Sequence, residues 1–237
     1  MGQFFKSRKV RVFYLFLTLY LLFVPCSPLF SLDLSTGGGL RISPYFENLN
    51  ITATGISEAK ISNSWVDLGI YAFIDAKYAE FNITYYRALS GSYEQSNFGG
   101  PLDLKTEYAI ADISYLELSL LGKIPLALSM KNKTNLFAGF AYKICLTSDY
   151  GYIVNKGDVK KEFWDQMIIK IGAGIDYPFL NKISVRANFS VGISLPTKEW
   201  DNRKKAVEAL FADIPGINVI YSGLGCEFSL AIVYAIN

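Results

Sequence analysis

The sequence contains no histidine. That absence removes the commonest metal ligand and the commonest general base near neutral pH. Cysteine is scarce, with Cys26, Cys145 and Cys226 at spacings unlike any metal motif. Cys145 and Cys226 fall within alternating segments and read as small wall residues rather than a disulfide. Net charge is only +2, and basic residues are scattered apart from the N-terminus and Arg203-Lys204-Lys205, so no large field draws nucleic acid. Beyond the N-terminal region no run approaches the about 18 apolar residues of a membrane helix. No catalytic, cofactor-binding or metal-ligating set is therefore expected. Gly37-Gly38-Gly39 precedes no helical pattern, so it is no phosphate loop and reads as a flexible entry to the first strand.

Hydrophobic residues nevertheless make up 51 % of the 237 residues, with 16 Tyr and 17 Phe. This apolar content is arranged by alternation. From 182 to 195 the chain reads KISVRANFSVGISL. Ile183, Val185, Ala187, Phe189, Val191 and Ile193 alternate with Ser184, Arg186, Asn188, Ser190, Gly192 and Ser194. A period of two puts the sets on opposite faces of one strand.

The same alternation predicts eight strands, over 38–47, 64–75, 78–87, 107–121, 135–146, 164–177, 182–195 and 221–236. Each approaches or exceeds the roughly 9 to 11 residues that cross a membrane obliquely. In the fourth, alternation is irregular before Tyr115, and a bulge near Ile113 would switch the faces. If 122–130 contains a turn, the count becomes ten. Connections after strands two, four and six are short; those after one, three, five and seven span 48–63, 88–106, 147–163 and 196–218. Long loops at one end and short turns at the other are the layout of an eight-stranded antiparallel transmembrane β-barrel. One helix is expected near 198–212, in the last long loop, where Trp200, Val207, Leu210 and Phe211 share a face.

In front of the barrel, Lys6, Arg8, Lys9 and Arg11 precede an apolar run from Val12 to Val24, which Pro25 breaks. This reads as a Sec-type signal peptide over 1–31, leaving 32–237 as the barrel domain. A rival, lipidation at Cys26, suffers from Pro25 directly before the cysteine. Four glycosylation-like sequons, at Asn50, Asn82, Asn132 and Asn188, carry no information in a bacterial barrel.

The polar faces carry Glu80, Glu117, Lys143, Lys170, Asp176, Arg186 and Glu227. Eight strands leave an interior just wide enough for side chains, so these charges must pair. An ion-pair network is expected, with Glu117 and Glu227 meeting Lys143, Lys170 or Arg186. Glycines 139, 172, 174, 192 and 225 share the inward face. Lipid-facing positions are Ile169, Ile171, Val185, Phe189, Val191, Phe228, Leu230 and Ile232. Without histidine no Ser-His-acid arrangement can form, and no Asp/Glu spacing singles out a pair, so the chain is expected not to be an enzyme.

The run ISYLELSLLGK from Ile113 to Lys123, followed by NLFAGFAY from Asn135 to Tyr142, resembles the OmpX/OmpW-like small outer-membrane β-barrels. The stretch IKIGAGIDY ending at Tyr177 is also similar to a strand of that family. The resemblance implies an eight-stranded monomeric barrel in the outer membrane of a diderm bacterium, surrounded by outer-membrane lipid and inserted by the barrel assembly machinery. It leaves two roles open: a surface-exposed structural or adhesin-like interaction protein contacting host molecules through its loops, or a narrow conduit for small hydrophobic solutes. A lipid-anchored or periplasmic soluble binding barrel is a third reading, which requires an apolar interior and a polar exterior. The resemblance also implies a terminal aromatic for assembly, whereas this chain ends Tyr234-Ala235-Ile236-Asn237, with Tyr234 on the apolar face.

Overall fold

In a computed structural model, the described residues are 33–53, 56–96, 104–108, 113–126, 132–147, 165–195, 197, 201, 204–205, 208, 216 and 218–236. The expected signal segment 1–31 lies outside them, as does Cys26. The compact unit containing the sheet begins at Leu34.

Among the described residues nine strands form one antiparallel sheet: β1 (Leu34–Ala53), β2 (Ile56–Ala76), β3 (Ala79–Ser96), β4 (Leu104–Tyr108), β5 (Ser114–Leu126), β6 (Lys133–Thr147), β7 (Gln166–Leu180), β8 (Ile183–Leu195) and β9 (Asn218–Ala235). Their order is β2-β1-β9-β8-β7-β6-β5-β3-β4, and β2 also pairs with β3. That last pairing closes eight strands into a barrel, with β4 left as an added strand on β3. Closure is what a bilayer demands, because an open edge would leave backbone N–H and C=O groups in hydrocarbon.

The alternation sorts the side chains. On β9, Leu224, Phe228, Leu230, Ile232 and Tyr234 are exposed, while Gly223, Gly225, Ser229, Ala231 and Val233 are buried. The most exposed large side chains of the wall include Ile171 at 65 % and Ile232 at 63 %. Lys143, Lys170 and Arg186 are each at 2 %. A soluble protein shows the reverse, so this polarity is that of a membrane-spanning barrel. It is also opposite to what a soluble binding barrel requires. On β9 the apolar belt runs from Tyr234 to Leu224; at about 3.3 Å per residue and a tilt of about 40° it is roughly 25 Å tall, matching the lipid-facing band of such barrels.

Three expectations need correction. The fourth strand does not run from 107 to 121. Leu104–Tyr108 is a separate strand paired with Gly91–Gln95 high on β3, while β5 takes over the same edge from Ser114↔Arg87 down to Gly122↔Ala79. The irregular alternation before Tyr115 reflects this change of strand, with a register shift between Ser114 and Tyr115. The 122–130 stretch adds no turn before Leu126, since β5 continues through Pro125↔Asn135. Pro125 is tolerated because β3 has already ended on its other side.

The long connections also differ. The 48–63 segment is mostly paired strand, ending at Ala53↔Ile56, and Ser62 donates to Asn48 Oδ1 at 2.8 Å. Apolar and polar residues do not alternate strictly along this extension, so it lacks the pattern that marks a strand. β3 likewise continues to Ser96. Finally, Gly37–Gly39 is no flexible entry. All three lie inside β1, paired with both β2 and β9, and a Cβ on Gly39 would lie 2.6 Å from Ala231 Cα.

In the last long connection Asp201, Lys204, Lys205 and Glu208 are helical, with Asp201 N donating to Thr197 O at 3.1 Å. The rest of 198–212 lies outside the described residues. Cys145 and Cys226 are free thiols.

Ile171→Arg sets a fixed charge against hydrocarbon near mid-belt. It should lower unfolding free energy in vesicles by about 2–4 kcal/mol, read from denaturant titration. A change within measurement error would contradict the outward polarity.

Candidate functional site

The barrel interior holds the chemistry. Each inward charge sits at a polar-face position of its strand, and together they form three tiers along the axis.

Nearest the short turns, Arg186 on β8 faces Asp176 on β7 in direct register. Its Nε donates to Asp176 Oδ1 at 2.6 Å and its Nη2 to Oδ2 at 2.7 Å. This is the fork geometry that makes Arg suited to carboxylates. The same guanidinium reaches across to Asp75 at 2.6 Å and Glu80 at 2.5 Å and stacks 4.7 Å from the Phe73 ring centroid. Lys123 bonds Asp75 and, at 3.2 Å, Glu80. Asp75 and Glu80 are themselves opposite in the β2–β3 ladder, a repulsive placement that these two cations make tenable.

In the middle tier, Lys170 bonds Glu117 at 2.6 Å and also Glu227. Arg41 Nη1 donates to Glu117 at 3.2 Å and to Thr84 Oγ1 at 3.0 Å, and it lies 3.5 Å from Glu227. Its guanidinium sits 4.3 Å above the Tyr71 ring. Tyr86 OH donates to Glu227 at 3.3 Å. Two carboxylates thus meet two cations, with the Tyr86 hydroxyl donating to Glu227 and the Thr84 hydroxyl accepting from Arg41.

Above this, Lys143 bonds Asp67 at 2.5 Å, with its Nζ 4.4 Å from the Tyr115 ring and 4.8 Å from the Tyr86 ring. Tyr45 packs on Trp65 at 4.6 Å between centroids, and its hydroxyl bonds Ser194 at 2.6 Å and Tyr221 at 3.1 Å. Glycine makes room for these rings. A Cβ on Gly69 would come within 2.7 Å of the Tyr86 ring, and one on Gly225 within 3.0 Å of Tyr45. Between the lower and middle tiers lies a 10 Å³ cavity lined by Arg41, Glu80, Lys170, Ser190, Glu227 and Ser229 among others, about enough for one water.

All seven charged residues named from the sequence are inward. Glu117, Glu227 and Lys170 come together, and Arg186 joins Glu80 and Asp176. Lys143 does not meet either glutamate by an ion pair. Although Glu117 is its register neighbour, Lys143 bonds Asp67 across the interior, and Arg41 takes the expected place beside Glu117. Arg186 likewise meets neither of those glutamates. Of the eight outward positions, Ile169, Ile171, Val185, Phe189, Phe228, Leu230 and Ile232 are exposed and Val191 is half-buried.

Sequence reasoning missed four partners: Arg41, Asp67, Asp75 and Lys123. The signal for Arg41 was its place between outward Leu40 and Ile42. Asp67 and Asp75 occupy the polar face of β2 by the same count. Lys123 was lost because the strand was ended at Leu121.

No protein-family model and no curated protein matches the sequence. Among solved structures, the chain is similar to Neisserial surface protein A, at 10 % identity over 83 % of this chain and 97 % of that one, with a TM-score of 0.35. It is similar to the outer membrane protein OprG from Pseudomonas aeruginosa, at 14 % identity over 86 % and 95 %, with a TM-score of 0.47. A mutant of the TodX monoaromatic hydrocarbon channel matches at 9 % identity over 86 % and 90 %, with a TM-score of 0.20.

Arg186→Met would leave Asp75 and Glu80 with Lys123 alone and remove the ion pair that Asp176 makes among the described residues. Removing one partner of a buried pair costs about 3–5 kcal/mol. The variant should unfold at markedly lower denaturant in detergent micelles, and Arg186→Lys, which keeps the charge but loses the fork, should fall between it and the parent.

Proposed function

We propose that the protein is an integral outer-membrane barrel whose role is structural and interactive, carried by the segments above the loop-end rim. The supporting observation is the filled interior. Three tiers of paired charges and stacked rings occupy the lumen, with a cavity of 10 Å³ between two of them. Passage of a solute along the axis would require breaking several buried ion pairs at once, each costly to separate. A plugged barrel is a rigid anchor. It sits as a monomer among outer-membrane lipids after insertion by the assembly machinery. What it presents beyond the apolar belt is the paired extension of β1 with β2 and of β3 with β4, and the strand ends Thr147 and Leu195, from which the expected connections 147–163 and 196–218 leave, lie at that same end. Loops held on a rigid scaffold are where recognition residues concentrate, and a surface or host molecule is the expected contact.

The chain purified in detergent and reconstituted into planar bilayers should show no steady conductance, and liposomes carrying it should not admit small sugars or small hydrophobic solutes faster than empty ones. Binding to intact cell surfaces or matrix proteins should disappear when 148–164 is replaced by a short turn while the barrel still folds. Solute flux above the empty-vesicle rate, with binding unchanged by loop replacement, would instead favour the conduit.

A further inference from the structure

The side chains of the lower and middle tiers do not bond one another directly. Arg186 and Lys123 hold only Asp75, Glu80 and Asp176. Arg41 and Lys170 hold only Glu117, Glu227 and the Thr84 and Tyr86 hydroxyls. Between the two sets lies the 10 Å³ cavity, whose wall includes Arg41, Glu80, Lys170, Ser190, Glu227 and Ser229. A space of that size holds one water when two to four polar groups are there to bind it.

Three of the lining residues have capacity that no protein group uses. Arg41 is buried, and every hydrogen bond from its guanidinium leaves Nη1. Its Nε has no protein partner, and Nη2 donates to nothing among the described residues. Glu80, also buried, accepts from Lys123 and Arg186 at Oε2 alone, which leaves Oε1 as a second acceptor. Ser190 is buried and stands opposite Glu227 in the β8–β9 ladder, and its hydroxyl bonds no other protein group among the described residues. The charges are arranged to match. The lower tier sets Arg186 and Lys123 against three carboxylates, whereas the middle tier sets two cations against two. A spare donor of the balanced tier and a spare acceptor of the acid-rich tier thus line one cavity. An apolar filler would leave both unsatisfied at a cost, and the Glu80 and Glu227 carboxylates on the wall oppose an anion.

We propose that this cavity is a binding site for one ordered water that joins the two tiers, accepting from the Arg41 guanidinium and donating to Glu80 Oε1, with the Ser190 hydroxyl as its third partner. A bridging water of this kind is enthalpically close to a direct hydrogen bond. It gives the unused edge of Arg41 an acceptor and carries that cation's influence to the tier with an acid in excess. It also makes the polar filling of the lumen continuous from Asp176 to Glu117, where the side chains alone leave two separate layers. The inference stands on the geometry of the lumen and is independent of what the loops contact.

Two measurements on the folded full chain test it. A high-resolution crystal structure should show a single density peak about 3 Å from both the Arg41 guanidinium and Glu80 Oε1. Ser190→Ala and Ser190→Val are then compared by denaturant titration in detergent micelles. Alanine removes the hydroxyl and leaves the space, whereas valine fills it. In a dry cavity the added methyl groups would gain contacts, and valine also has the higher strand propensity, so Ser190→Val would unfold at higher denaturant than Ser190→Ala. With the water in place the order reverses, because valine displaces it and sets Arg41 and Glu80 against an apolar surface. A Val midpoint at or above the Ala midpoint overturns the proposal. So does a parent structure with no density between Arg41 and Glu80, and that observation decides alone if the valine variant does not fold.

Discussion

A sheet placed in hydrocarbon has no solvent to satisfy its backbone, and everything else in this protein follows from that constraint. The β2–β3 pairing removes the last free edge and makes eight strands a cylinder. Once the cylinder is closed, its outer face must be apolar and its inner face becomes the only place for polar side chains. An eight-stranded cylinder is too narrow to hydrate them generously, so the charges of the inner face have to satisfy one another.

The three tiers solve that problem in different ways. Near the turns a single arginine gathers three carboxylates, using a planar fork that lysine lacks. In the middle, two acids and two bases share contacts, and Thr84 and Tyr86 hydroxyls complete the set. Above, one lysine and one aspartate pair among tyrosine rings whose faces also favour a cation. Buried ion pairs of this kind are poor sources of net stability, because desolvation offsets much of their attraction. Their consequence here is rigidity: a lumen that cannot be emptied without exposing unpaired charge. That consequence supports the reading of the barrel as an anchor.

Much of this was legible before any coordinates. Alternation around Ile171, Phe189 and Leu230 identified the outward face, and the glycines and charges between them the inward one. Legibility failed where alternation carries no penalty. In 48–63 apolar and polar residues do not alternate strictly, so paired strand reads as loop. At 104–121 two segments, β4 and the first part of β5, pair with different parts of the β3 edge, and the sequence runs them together. Gly37–Gly39 looks flexible by composition and is crowded in fact, because β9 and β2 press on both sides.

Period-two alternation alone determined the strand class, the inside-out polarity and which side chains enter the lumen, because one strand suffices to assign faces. Partnership inside the lumen was decided only by the closed fold. Glu117 and Lys143 stand opposite each other in the ladder, yet each bonds a residue from a more distant strand. Strand tilt and the curvature of the wall set which side chains meet across the interior, and neither is written in any single segment.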